Sequence, residues 1–332
     1  MPQHAVTLAA VLLAACGGNA VAPLDAPPPD AGACSNAPGW TDAPALALGP
    51  AQETATGAVD GKIYVIGGFD GALAVLDRVQ VFDTRTCTWS LGPALPRAVH
   101  HANVAAVDGR IYVLGALAGT TFTAIGDSWS WAPATESAWT DLASMPAGTE
   151  RGAAIIGAIG ARIYLAGGLR GSSAVALVTA YDTATATWET ALPSLPEPRD
   201  HGCGGVVGDA LYVIGGRGGS IEGTSDSVLA YAAGGSWQSR AAMPTARGGT
   251  ACGVIDGRIF VVGGEGNAAA PSGVFSETEV YIASEDRWEA LAPMPIPRHG
   301  MGAAAWDGRL YVPGGATRQA FGAVATHQVF TP

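Results

Sequence analysis

Five arginines recur along the chain of 332 residues, at Arg97, Arg151, Arg199, Arg247 and Arg298, three of them directly after a proline. A guanidinium is permanently charged and carries five donors in a planar fork that matches a carboxylate. Four of these arginines stand 16 residues before the first glycine of a Gly-Gly pair, and the first repeat offers Gln52-Glu53 instead. His100, His101, His201 and His299 fall shortly after the same positions. Two chemistries fit this set. Converging arginines could hold an acidic ligand, with Glu53 and Glu265 as proton-exchanging partners for a sugar. Equally, each guanidinium could satisfy backbone carbonyls between neighbouring sheets. Several imidazoles could suggest a metal, but ligands from separate repeats need a shared locus that spacing does not reveal. No metal or other cofactor is therefore expected.

These residues are carried on a repeat. Asp60-Gly-Lys-Ile-Tyr-Val-Ile-Gly67-Gly68 returns with variations ending at Gly115, Gly168, Gly216, Gly264 and Gly315. Trp40, Trp89, Trp139, Trp188, Trp237 and Trp288 recur every 49 to 51 residues, and Phe82, Trp131, Tyr181, Tyr231 and Tyr281 stand between glycines and tryptophans. An Asp-Gly turn, a β-branched strand, a glycine pair, an aromatic strand and a Trp strand make a four-stranded antiparallel meander of about 50 residues.

The pattern Tyr-x-x-Gly-Gly, aromatic, Trp resembles the kelch motif, over residues 40–332. The resemblance implies an all-β, six-bladed propeller. Ala116 replaces the second glycine in one unit, Phe260 replaces Tyr in another, and Pro313 sits beside the last pair. The chain carries Trp40 before its first glycine pair and reaches Phe330 where a last Trp strand is due. The reading is that the Trp40 strand completes the C-terminal blade, which closes the ring and hides its edges.

In an up-and-down meander the loops after the glycine pairs (69–76, 117–127, 169–174, 217–226, 265–277 and 316–323) share a face with the connectors that carry the arginines. In kelch propellers the matching arginines surround one mouth of the channel, and some members hold acidic ligands or peptides there. The candidate ligand-binding residues are thus Gln52, Glu53, Arg97, Arg151, Arg199, Arg247, Arg298, His201 and His299. Arg170, Arg217 and Arg318 read as solvated. Nucleophile elbows, phosphate loops and zinc motifs are missing from the sequence, and no catalytic residue is assigned. The expected function is an interaction module for a protein, peptide or glycan, acting as a monomer. The alternatives are a carbohydrate mutarotase or epimerase resembling periplasmic sialic-acid mutarotases, and a structural envelope protein.

A net charge of −11, with only 17 Lys and Arg, argues against a nucleic-acid partner. Residues 1–15 hold an apolar run that reads as a signal peptide, and Leu13-Ala14-Ala15-Cys16 resembles the bacterial lipobox. The resemblance implies lipidation of Cys16, a tether over residues 16–39 rich in Gly, Ala and Pro, and membrane contact only through the anchor, in the cell envelope outside the cytoplasm. Repeat alignment brings Cys34 and Cys87 to one edge of neighbouring units, as a disulfide. Cys203 and Cys252 read either as a second disulfide or as two small buried thiols.

Overall fold

The computed structural model describes residues 34–332, all strands, turns and loops. The expected signal peptide, the lipidation site Cys16 and nearly all of the tether lie outside the described residues.

Six antiparallel sheets of four strands follow one another along the chain. Blade 1 runs Ala55–Val59, Lys62–Ile66, Val79–Asp83 and Thr88–Leu91. Blades 2 to 5 open with Val104–Val107, Ile155–Ile159, Cys203–Val207 and Ala251–Ile255. Blade 6 takes Ala304–Trp306, Arg309–Pro313 and His327–Thr331, and its outer strand is Gly39–Ala43, paired with Trp40 opposite Phe330. The two ends of the chain therefore close the ring.

Local chemistry dictates this unit. Asp60 and Gly61 adopt φ values of 50° and 78°, the left-handed pair that a two-residue hairpin needs for its strands to twist correctly. The second strand of blade 1, Lys62–Ile66, is buried at four of its five positions, and Ile63 and Ile66 are wholly excluded from water. Such strands fill the spaces between blades, where clusters such as Tyr64, Val81, Val104 and Trp131 span two sheets.

The recurrent tryptophans fasten each blade to the one before it. Trp89, Trp139, Trp188, Trp237, Trp288 and Trp40 donate their indole N–H to the carbonyls of Pro44, Pro93, Ala143, Pro193, Ala241 and Ala292, at 2.8–3.0 Å. Each indole also packs on an aromatic of its own sheet, as Trp40 does on Phe330 with centroids 5.2 Å apart. The result is a closed outer ring of six indole clasps. The indole buries apolar area while its single N–H finds an acceptor, so both halves of the side chain are used.

Disulfides join Cys34 to Cys87 and Cys203 to Cys252, with Cα separations of 5.5 and 5.7 Å. The first ties the blade 6 outer edge to blade 1. The second links the inner strands of blades 4 and 5, and selects the disulfide over the two free thiols.

Blade 2 departs from the pattern for a visible reason. With Ala116 in place of the second glycine, the strand Arg110–Ala118 runs on past the point where other blades break. It pairs with Thr123–Trp131 through a register shift between Leu114 and Ala116. This longer hairpin brings Phe122 onto the loop-rich face.

Candidate functional site at the propeller axis

The connector arginines are placed by their register. Arg151, Arg199, Arg247 and Arg298 occupy one equivalent position, and each donates to the carbonyl of the glycine 16 residues on: Gly167, Gly215, Gly263 and Gly314. Arg151, Arg247 and Arg298 are completely buried. Arg151 uses its remaining donors on the Thr149 and Leu165 carbonyls and the Thr179 hydroxyl. Arg247 adds the Glu279 carboxylate at 2.5 Å. Burial lowers Arg151 to about 10, and Arg298 equally far against the opposing charge of Asp42, so both stay cationic near neutrality. Of the two readings of these arginines, Arg151, Arg199, Arg247 and Arg298 take the carbonyl-satisfying one and do not form a free ring at the mouth. Arg97 is out of register: Val99 holds the equivalent place, and Arg97 lies on the surface, half-exposed, 2.9 Å from Asp127.

Two residues beyond this position the backbone turns left-handed in every blade, at Glu53, His101, Ala153, His201, Gly249 and Gly300, with φ between 50° and 63°. Their peptides form a second closed ring. Glu53 N–H donates to Gly300, His101 to Glu53, Ala153 to His101, His201 to Ala153, Gly249 to His201 and Gly300 to Gly249, at 2.5–3.2 Å. Glycine accepts this conformation freely, whereas a residue with a β-carbon pays about 1–3 kcal/mol for it. Glu53, His101 and His201 nevertheless hold it, and their side chains meet.

Their ligand-capable atoms all lie within 4.8 Å of one another, and the three residues are at most 9% exposed. His101 Nε2 stands 3.1 Å from Glu53 Oε2. His299 Nδ1 is 3.7 Å from Glu53 Oε1 and 3.5 Å from Glu265 Oε2. On the far side of His201, Asp200 accepts from its Nδ1, and Arg217 bridges Asp200, Glu265 and His201 Nε2, the last at 3.0 Å. Arg217, expected as solvated, is thus drawn in by two buried carboxylates. Gln52 lies beside the cluster but turns to the backbone of Ala320 and Gly322.

Hydrogen-bond partners assign most protons. His100 Nε2 faces the Gly119 carbonyl at 2.9 Å and must donate to it. Burial, reinforced by the charge of His101, pushes His100 down to about 3 and keeps it neutral. Its Nδ1 then accepts from His101 Nδ1 at 2.5 Å, which leaves His101 Nε2 aimed at Glu53. Burial and the Arg217 charge also lower His201, whose Nδ1–H points at Asp200. For Glu53, burial would raise the carboxyl, but the charge and hydrogen bond of His101, with His299 and His201, hold it well below the carboxylate range. Asp200 is likewise depressed against the effect of burial, by His201 and then Arg217.

Above the cluster sit three phenylalanines. Phe69 stacks on His100 at 4.2 Å, Phe122 lies 5.5 Å from the His101 ring, and Phe321, which is 42% exposed, packs edge-on against Phe69. The loop face thus exposes Phe321 and part of Phe122, with Phe69 buried beneath them beside the charged centre.

Residues 40–216, more than half of the chain, match the KLHDC2/KLHL20/DRC7 kelch-repeats domain, and residues 246–295 match the kelch motif. The chain belongs to the kelch-repeat family. The Kelch-like protein terF of Aspergillus terreus is 35% identical to it over 296 residues. That alignment takes in 83% of this kelch chain and 64% of the relative, so the chain spans just under two thirds of the relative's length. Among solved structures, YjhT superposes with a TM-score of 0.73 over 86% of this chain and 95% of its own, at 16% identity, which speaks to the fold.

Within the kelch frame, the axial residues include some that sequence reasoning chose and some it passed over. Glu53, His201 and His299, expected around one mouth, approach one another at the axis. His101, Asp200 and Arg217 were not selected, and Glu265 was named only with Glu53 as a carboxylate partner for a sugar. Counting from the glycine pair rather than from the arginines would have aligned Glu53, His101 and His201 at one left-handed position.

Proposed function

We propose that this kelch protein is an extracytoplasmic interaction module whose loop-rich face receives a protein, peptide or glycan, with the axial Glu53–His101–His201 cluster as its polar centre. The single observation that carries this reading is the placement of three ionisable side chains at left-handed positions in the middle of a β-ring. Alanine and glycine fill three equivalent positions, so the fold itself does not call for charge there. Strain and buried charge gathered at one point are what a binding site accumulates. The two disulfides support an oxidising compartment, and the signal peptide over residues 1–15 and the lipid anchor at Cys16 belong to the same proposal. The module acts as a monomer.

The test is ligand capture from envelope fractions and on a glycan array, with wild-type protein and a Glu53→Gln/His201→Gln variant. Loss of capture by the variant is expected. Undiminished capture by a folded variant would sink the axial part of the proposal.

One observation favours a second reading. Arg217 and Glu265 form a buried ion pair beside the Glu53–His101 pair, so a sugar at the axis would meet both a guanidinium and proton-exchanging groups. A mutarotase built this way accelerates anomer exchange, seen by NMR, at protein concentrations far below those of the sugar. An exchange rate equal to that in buffer removes it.

A further inference from the structure

We propose that Glu53, His101 and His201, with His299 completing the set, hold one divalent first-row transition-metal ion of the zinc type on the propeller axis. The metal would occupy the same axial residues as the proposed binding centre, but its test reads metal uptake and not partner capture.

Four features carry it. The first is donor type: imidazole nitrogens with one carboxylate are the set that suits zinc and its neighbours. The second is spacing. Ligand bonds of about 2.0–2.1 Å in a tetrahedron put ligand atoms about 3.3 Å apart. His101 Nε2 and His299 Nδ1 lie 3.1 and 3.7 Å from the two Glu53 oxygens, and the Glu53, His101 and His201 atoms fall within 4.8 Å of one another.

The third feature is the outer partners. A metal-binding histidine characteristically donates its other ring N–H to a fixed acceptor, which orients the free nitrogen. All three histidines do this: His101 Nδ1 to His100, His201 Nδ1 to Asp200, and His299 Nε2 to the Arg318 carbonyl at 2.8 Å. In each case the remaining nitrogen is the one turned toward the cluster. The fourth is an orphan. His299 is wholly buried, and its Nδ1 has no hydrogen-bond partner among the described residues while it faces two carboxylates. A cation shared between that nitrogen and Glu53 satisfies both.

Arg217 is the competitor. Its Nη2 lies 3.0 Å from His201 Nε2, on the lone pair the metal needs, and its other donors are held by Asp200 and Glu265. Metal binding therefore moves one amino group of the guanidinium off His201 and leaves the rest of its anchorage in place.

The experiment titrates the full, tag-free chain, stripped with a chelator, with Co²⁺ followed by Zn²⁺. Wild-type protein is expected to take up one equivalent of Co²⁺ with strong visible d–d bands of a four-coordinate site, and Zn²⁺ to abolish them. Asp200→Asn, which alters the acceptor of His201 Nδ1 and weakens one of the two carboxylate anchors of Arg217, is expected to weaken the affinity about 10–100-fold. Arg217→Gln is expected to strengthen it, an outcome that a general loss of folding cannot produce. Zn²⁺ should also raise the melting temperature of the wild-type protein by mass action. The proposal is overturned by wild-type protein that shows neither the bands nor the melting shift. It is equally overturned by bands of the same intensity in a Glu53→Gln/His101→Gln variant.

Discussion

Arg151→Met separates an arginine that builds the scaffold from one that meets a ligand. The side chain is completely buried and donates to the carbonyls of Gly167 and Thr149 at 2.6 Å and of Leu165 at 2.9 Å. Methionine keeps most of the volume but strands three buried acceptors, the Gly167 and Leu165 carbonyls and the Thr179 hydroxyl, at about 1–3 kcal/mol each, or about 6 kcal/mol together. Removing a buried cation offsets part of this. Burial lowers Arg151 from 12.5 to about 10, equivalent to about 3.5 kcal/mol at about 1.4 kcal/mol per tenfold change in proton affinity. The net expectation is a loss of about 2–4 kcal/mol. Arg97→Met, at a half-exposed pair with Asp127, should cost less than about 1 kcal/mol. Urea unfolding followed by tryptophan fluorescence measures both, with the midpoint falling at constant slope for Arg151→Met. Equal costs for the two variants, or a loss below about 1 kcal/mol for Arg151→Met, would refute the carbonyl-anchoring argument.

Other outcomes follow from the same geometry. The Cys203–Cys252 bridge closes a separation of 49 residues, so Cys203→Ser/Cys252→Ser should lose up to about 4 kcal/mol under oxidising conditions and nothing relative to wild type under reduction. Thiol labelling of the native described region should find no reactive cysteine. At Gly300, φ is 59° and an added β-carbon would strike the Glu53 carboxylate, while at Gly308 φ is 70° and nothing lies within 4 Å. Gly300→Ala is therefore expected to cost about 1–3 kcal/mol more than Gly308→Ala, measured by thermal unfolding. Burial lowers His327 to about 3, from an ordinary value of 6.5. The unfolded chain then binds a proton that the folded one refuses, so this residue removes about 1.4 kcal/mol of stability per pH step as pH falls from about 6.5 to about 3. His327→Gln should flatten that limb of the stability curve, and an unchanged slope would show that the residue titrates normally.

The repeat was legible because its markers each demand a particular local backbone. Asp60-Gly61 specifies a hairpin, Gly67-Gly68 a left-handed turn, and Trp89 an outer strand that needs something to clasp. Their spacing then sets the blade count, and the unpaired Trp40 sets the closure. The site was less legible because it depends on where side chains point after the ring closes. Arg97 looked equivalent to Arg199 through its Pro-Arg dipeptide, but the hydrogen-bond register belongs to Val99. Whether Arg151 faces a mouth or a row of carbonyls is decided by how its connector folds back on its own blade, where Gly167, Leu165 and Thr179 take its donors. His101 and His201 stand 100 residues apart in the sequence, and their ring centroids are 4.8 Å apart at the axis. Arg217 appeared solvated because its two carboxylate partners, Asp200 and Glu265, come from separate turns.

The most direct test of the proposed function is amide hydrogen exchange with and without a captured ligand. Binding at the loop face is expected to slow exchange in loops 117–127, 217–226 and 316–323, around Phe122, Arg217 and Phe321. Protection confined to the Asp-Gly turns at 60–61, 256–257 and 307–308, on the opposite face, would contradict it.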